Sequence, residues 1–194
     1  MSKFMLAAAA TGLALMAAAC NNNDNGNSAT PGQPAEAQNK AGDQTIAASI
    51  DKNGRFAQAA KAAGLDGTLA GPGPYTVLVP SDDAFAKVQG ALQDPAKPEN
   101  RAELTRVLTY HILPGTVLTE DLGKAVDNGK GKALVQTMSG QTLTATKDGG
   151  KIVLTDASGG KATIVEGDQQ RSNGVVHHVD AVLTPGEQAA RARK

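Results

Sequence analysis

Few side chains in this sequence could do chemistry at neutral pH. Its 194 residues hold three histidines, His111, His177 and His178, and one cysteine, Cys20. A zinc site needs three or four convergent ligands. His177 and His178 are neighbours in a β-branched run, so they point to opposite faces of a strand and cannot grip one ion. His177 runs with Val175, Val179 and Ala181, and His178 with Val176, Asp180 and Val182. With Cys20 far off near the N-terminus, no metal is expected. The adjacent carboxylates of Asp82 and Asp83 could be offered as an acid–base pair, but residues one apart on a helix do not face each other. Helix capping and the helix dipole account for both. There is no G-x-S-x-G, P-loop or dinucleotide fingerprint, so no cofactor and no catalytic residue is expected. The pair Tyr110-His111 is the sharpest remaining candidate. As a structural pair, its phenol would find one partner and its imidazole would bond backbone where a helix hands over to a strand.

These residues need elements to position them. Tyr75 to Val79 is a short aromatic and β-branched run bounded by Pro74 and Pro80, which reads as a buried strand ended by the proline. Ser81 then stands as the N-cap of a helix that Phe85 anchors on the core. Upstream, Ile46 and Ile50 suggest a short helix, and Arg55 to Ala63 a second one with Phe56, Ala59, Ala60 and Ala63 on one face and Gly64 as its stop. Leu65 to Ala70 is a turn or short helix. Downstream, Asn100 and Glu103 form a capping-box pattern before the stripe Leu104, Val107 and Leu108. Thr119 to Leu122 reads as one capped helical turn. From Ala133 the apolar period becomes two. Ala133–Met138, Gln141–Thr146, Ile152–Thr155, Ala162–Glu166 and Val175–Leu183 read as strands of an antiparallel meander, with glycine-bearing hairpin turns between them.

The ends and the composition bound the setting. Nineteen basic residues balance nineteen acidic ones, and there is no long basic run, so a nucleic-acid partner is not expected. Residues 1–19 read as a signal peptide: Lys3 begins it, and the apolar stretch is too short for a membrane span. Ala17-Ala18-Ala19-Cys20 resembles a bacterial lipobox with alanine in place of its usual leucine. Lipidation at Cys20 would hold the protein on a membrane and remove a free thiol from an oxidising compartment. The alternative is ordinary cleavage after the alanines. Residues 20–43 read as the lipidated cysteine and a low-complexity tether, and 186–194 as a polar tail.

Three stretches, in order, resemble the signature boxes of the fasciclin-like domain. Thr76 to Phe85 resembles T-V-x-x-P-[ST]-[ND]-x-A-F, with Thr76, Pro80, Ser81 and Phe85 at marked positions. Leu108 to Gly115 resembles L-x-Y-H-x-x-x-G. Asn173 to Pro185 resembles N-G-x-[IV]-H-x-[IV]-D-x-[VL]-L-x-P, with Asn173, Gly174, His177 and Asp180 at marked positions; His178 stands where the family usually has an apolar residue. The resemblance covers residues 44–185. It implies an α+β domain of about seven strands in a wedge-shaped pair of sheets, with helices packed on one side. It implies a structural acceptor role for Asp180. In animal relatives the counterpart of Tyr110-His111 is implicated in integrin-dependent adhesion; the position of the pair at a helix–strand junction favours the structural reading. The expected function is a non-enzymatic adhesion or matrix-binding module, exported and held on the outer membrane or in the periplasm, or else secreted. Its partner would be a matrix protein or a polysaccharide. The alternatives are an envelope or stress-related protein that captures a small apolar molecule or polymer, and, most weakly, a hydrolase.

Overall fold

The computed structural model describes residues 42–88, 92–95 and 97–186. The expected signal peptide, Cys20, nearly all of the tether and the tail from residue 187 lie outside the described residues. The elements run α1 (Ile46–Ser49), α2 (Arg55–Ala63), α3 (Asp66–Ala70), β1 (Tyr75–Pro80), α4 (Asp82–Lys87), a 3-10 turn (Pro98–Asn100), α5 (Arg101–Tyr110), β2 (Ile112–Pro114) and α6 (Thr119–Asn128). Five strands follow: β3 (Ala133–Gln136), β4 (Thr142–Asp148), β5 (Lys151–Thr155), β6 (Lys161–Arg171) and β7 (Gly174–Val179).

The seven strands form one hydrogen-bonded order, β2-β1-β7-β6-β5-β4-β3. β6 is the hinge of the wedge. It pairs with β5 through Thr163 and with β7 from Ile164 onward, and its register slips twice between Ile164 and Gln169. Such bulges bend and twist a strand, so one strand serves both halves. The far ends meet where the Met138 amide donates to the Ile112 carbonyl at 2.8 Å. β1 and β7 are parallel, Tyr75 lying against Gly174 and Pro80 against Val179.

Two cores follow from strand alternation. Val77 and Val79 of β1 face a core with Phe56, Ala59, Ala60, Phe85, Leu104, Val107 and Leu108, covered by the first five helices. Leu78 faces a second core with Tyr110, Leu113, Leu143, Leu154, Ala162 and Val179, which α6 closes through Leu122 and Val126. The Phe56 and Phe85 rings meet edge-on, with centroids 6.4 Å apart.

Local reading misplaced several boundaries. β1 ends at Pro80, one residue past the expected Val79. The proline's missing amide is not needed, because the next ladder bond comes from Ser81, whose N–H donates to the Val179 carbonyl at 3.2 Å. Asn100 is not a side-chain cap: its backbone is already helical, and its amide group donates to the Asp94 carbonyl at 2.8 Å. The single turn expected at Thr119 is a ten-residue helix, because Leu122 and Val126 have a core to bury in despite the interior Gly123. β6 runs five residues past the expected Glu166, and β7 stops at Val179 rather than Leu183.

Candidate functional site

The three boxes lie well apart in sequence, yet their marked residues converge. Thr76 joins the first box to the second. Its hydroxyl donates to the Gly115 carbonyl and accepts from the Val117 amide, both at 2.8 Å. Asn173 joins the third box to the helices: its side-chain oxygen accepts from the Ile46 amide at 2.8 Å, and its amide group donates to Leu69 and Gly71 carbonyls at 2.9 and 2.8 Å. Gly174 is required where it stands, because a Cβ there would lie 1.8 Å from the Tyr75 carbonyl oxygen. Ser81 accepts from Ala84 at 3.2 Å as the N-cap of α4. Asp180 lies just past β7 and accepts from the Thr163 amide at 2.7 Å.

Tyr110 and His111 are both fully buried. The Tyr110 hydroxyl donates to the Thr142 carbonyl and accepts from the Ala157 amide, at 3.2 and 3.3 Å. A carbonyl can only accept and an amide can only donate, so the His111 tautomer follows from its partners. Nδ1–H donates to the Val107 carbonyl at 2.9 Å, and Nε2 accepts from the Leu183 amide at 3.0 Å. Burial pushes the His111 pKa down to about 4, against a smaller upward pull from the Val107 carbonyl and the Asp156 carboxylate. The pair clamps the end of α5, the β4 strand, the β5–β6 turn and the segment after β7, and it offers no surface to a partner.

His177 is buried on one face of β7, and His178, half-exposed, lies on the other. His177 has the opposite tautomer. Nε2–H donates to the Val117 carbonyl at 2.8 Å, and Nδ1 accepts from the Asp168 amide at 3.0 Å. Burial lowers its pKa, more than the carbonyl and the Asp168 charge raise it. Among the described residues, no three His, Cys, Asp or Glu side chains are grouped to hold a metal ion, and no helix is long and apolar enough to cross a membrane.

Three aspartates cap or tie elements distant from them in sequence, which local reading missed. Asp82 caps α2 rather than only its own helix: Gly54 at the start of α2 has no side chain, and the Asp82 carboxylate accepts from Arg55 at 2.9 Å. Asp168 does the same for α6, accepting from the Thr119 amide at 2.8 Å and from the Thr119 hydroxyl. It takes a left-handed backbone conformation, φ 59°, which aspartate tolerates. Asp156 accepts from Ser158, Gly160 and Thr184 amides at 2.8, 2.8 and 2.9 Å, tying the β5–β6 turn to the segment after β7. Only Asp156 had a legible signal, an aspartate opening a Gly-Gly turn.

The open surface lies elsewhere. A cleft of about 540 Å³ runs between α6 and strands β4 to β6, within the size range of small-ligand sites. Its helix wall is Glu120, Gly123, Lys124 and Asp127, and Lys147, Lys151 and Asp168 face it across Ile152 and Ile164. Lys124 pairs with Glu120 at 2.7 Å and Lys147 with Asp127 at 2.5 Å. A hollow beside His178, Asp82 and Asp51 holds about 200 Å³, below that range.

Comparison with known proteins agrees with the geometry. The Fasciclin domain family model matches residues 52–185. Protein sll1483 of Synechocystis sp. is 34% identical over 72% of this chain and 71% of its own length. The uncharacterized protein sll1735 of the same organism is 30% identical over 73% of this chain and 96% of its own. Among solved structures, the FAS1 domain pair of the insect cell adhesion molecule Fasciclin I superposes with a TM-score of 0.63 at 16% identity, over 75% of this chain and 52% of that one.

Proposed function

The chain belongs to the fasciclin domain family, and on that premise we propose that it is a non-enzymatic binding module for adhesion or matrix contact. The observation that carries this reading is the fate of the box side chains. Thr76, Tyr110, His111, Asn173 and His177 spend their polar atoms on backbone groups inside the fold. A nucleophile needs a base within hydrogen-bond reach, and among the described residues the two buried imidazoles are held by carbonyls and amides instead. The fold is shared with a domain pair from a cell adhesion molecule, which agrees with a module whose task is contact.

The lipobox-like Ala17-Ala18-Ala19-Cys20 supports display from a lipid anchor at the cell envelope, with residues 20–43 as a spacer and a matrix protein or polysaccharide as partner. The balanced charge speaks against nucleic acid. The test is attachment of cells that carry the full chain to protein- and polysaccharide-coated surfaces, beside cells with Cys20→Ser. The expected result is attachment that falls when Cys20→Ser releases the protein from the membrane fraction. Attachment indifferent to the presence of the protein overturns the reading.

A further inference from the structure

The cleft along α6 is built by the box residues without containing them. His177 holds its corner: one ring nitrogen fixes the Val117 carbonyl just before α6, and the other fixes the Asp168 amide in the bulged part of β6. Asp168 then caps α6 through Thr119. The two walls are therefore tied to each other through one buried imidazole.

We propose that this cleft binds a chain of an acidic polysaccharide, with Lys151 receiving a uronate carboxylate and the ion-paired rim receiving ring hydroxyls. The proposal names a partner class for the binding module above and rests on that reading. Size and shape come first. Glu120, Gly123, Lys124 and Asp127 fall at helical spacing on one face of α6, and Gly123 leaves that face flat. A glycine inside a helix costs about 0.5–1 kcal/mol relative to alanine. A Cβ there would come within 3.3 Å of Lys147 Cε, so the bare backbone, itself buried, lets the lysine stem lie close against the helix.

Charge narrows the ligand. Both oxygens of Asp168 are taken by Thr119, and Glu120 and Asp127 are taken by Lys124 and Lys147. Lys151 is the one cation of the rim without an ion-pair partner among the described residues. One free positive charge suits isolated carboxylates, whereas a dense polyanion would set its further charges against Glu120 and Asp127. The two rim pairs are exposed, and exposed pairs contribute little, so a hydroxyl can replace either partner at small cost. A hydroxyl both donates and accepts, which a rim of alternating ammonium and carboxylate groups answers. A fatty acid fits poorly, because Ile152 and Ile164 expose only 6% each and leave Val165, 54% exposed, as the one open apolar side chain of the lining.

The test uses the full chain with two probes: gellan, an acidic polysaccharide whose uronates are separated by neutral sugars, and dextran. Lys151→Glu is compared with Lys161→Glu, which makes the same charge change on the exposed face of β6, opposite Thr155. Wild type is expected to bind gellan at least tenfold more tightly than dextran. Lys151→Glu is expected to lose tenfold or more of that affinity at unchanged melting temperature, and Lys161→Glu less than twofold. Equal losses in the two variants, or equal binding of dextran, overturn the proposal. Absence of gellan binding with attachment to matrix protein intact overturns the cleft but leaves the binding module standing. Absence of both removes both.

Discussion

His111 and His177 are both buried and neutral, and they are opposite tautomers: His111 donates from Nδ1 and accepts at Nε2, while His177 donates from Nε2 and accepts at Nδ1. In each ring, a second proton would point at a backbone N–H that now donates to that nitrogen. Protonation therefore removes a hydrogen bond and puts a charge in the core at the same site, at both ends of the box network.

Acid should weaken the fold through these two rings. The folded pKa of His111 is about 4 against an ordinary 6.5, so between those values the unfolded chain binds the extra proton and the native one does not. Stability from this group is whole above pH 6.5 and lost as pH falls toward 4, by roughly 3 kcal/mol. His177, also lowered, adds loss in the same direction. Urea denaturation at pH 7.5, 5.5 and 4.5 should show the decline, with a shallower slope in His111→Gln. Equal slopes would mean that His111 is not neutral in the fold.

Substitutions at the second box should cost stability rather than contact. His111→Ala leaves the Leu183 amide and the Val107 carbonyl without their partner, a loss of about 1–3 kcal/mol. Tyr110→Ala empties a fully buried site and should cost about 3–5 kcal/mol. Below their melting temperatures both variants should support attachment as wild type does. Unchanged melting with abolished attachment would make the pair a contact surface.

The third box should be intolerant at its first two positions for different reasons. Asn173→Ala breaks three bonds that tie β7 to α1 and to the chain before β1; at about 1 kcal/mol each the loss is about 3 kcal/mol, and the protein should still fold. Gly174→Ala forces β1 away from β7, because its Cβ would overlap the Tyr75 carbonyl. A loss beyond about 4 kcal/mol is expected, read as insolubility or a collapsed melting temperature. A well-folded Gly174→Ala protein would contradict the close approach of β1 and β7.

Asp82→Ala should loosen a helix that is not its own. The expected loss is about 0.5–2 kcal/mol, with faster amide exchange in the first turn of α2, beginning at Arg55. Ser81→Ala should instead speed exchange at Ala84, which its hydroxyl caps. If Asp82→Ala left the first turn of α2 unchanged, the Asp82–Arg55 bond would have no energetic weight.

Local pattern alone determined much of this protein. The face Phe56, Ala59, Ala60 and Ala63 of α2, the Ser81 cap, the strand from Tyr75 and the divergence of His177 from His178 depend on helix and strand periods and on capping chemistry. Those are properties of neighbours in sequence. The α+β class came instead from the resemblance of the three boxes to the fasciclin-like domain. What tertiary structure decided lies wherever the partner is distant. The length of α6 came from a core that Leu122 and Val126 could enter, and the reach of β6 from two neighbours it pairs with in turn. Asp82 and Asp168 became caps of helices they do not belong to. His111 met Leu183, 72 positions on, and so lost the exposure a contact residue needs. The cleft beside α6 belongs to this second group, because its walls come from elements that touch only after β6 has bent. No period in the sequence encodes that approach; long-range burial and backbone hydrogen bonding do.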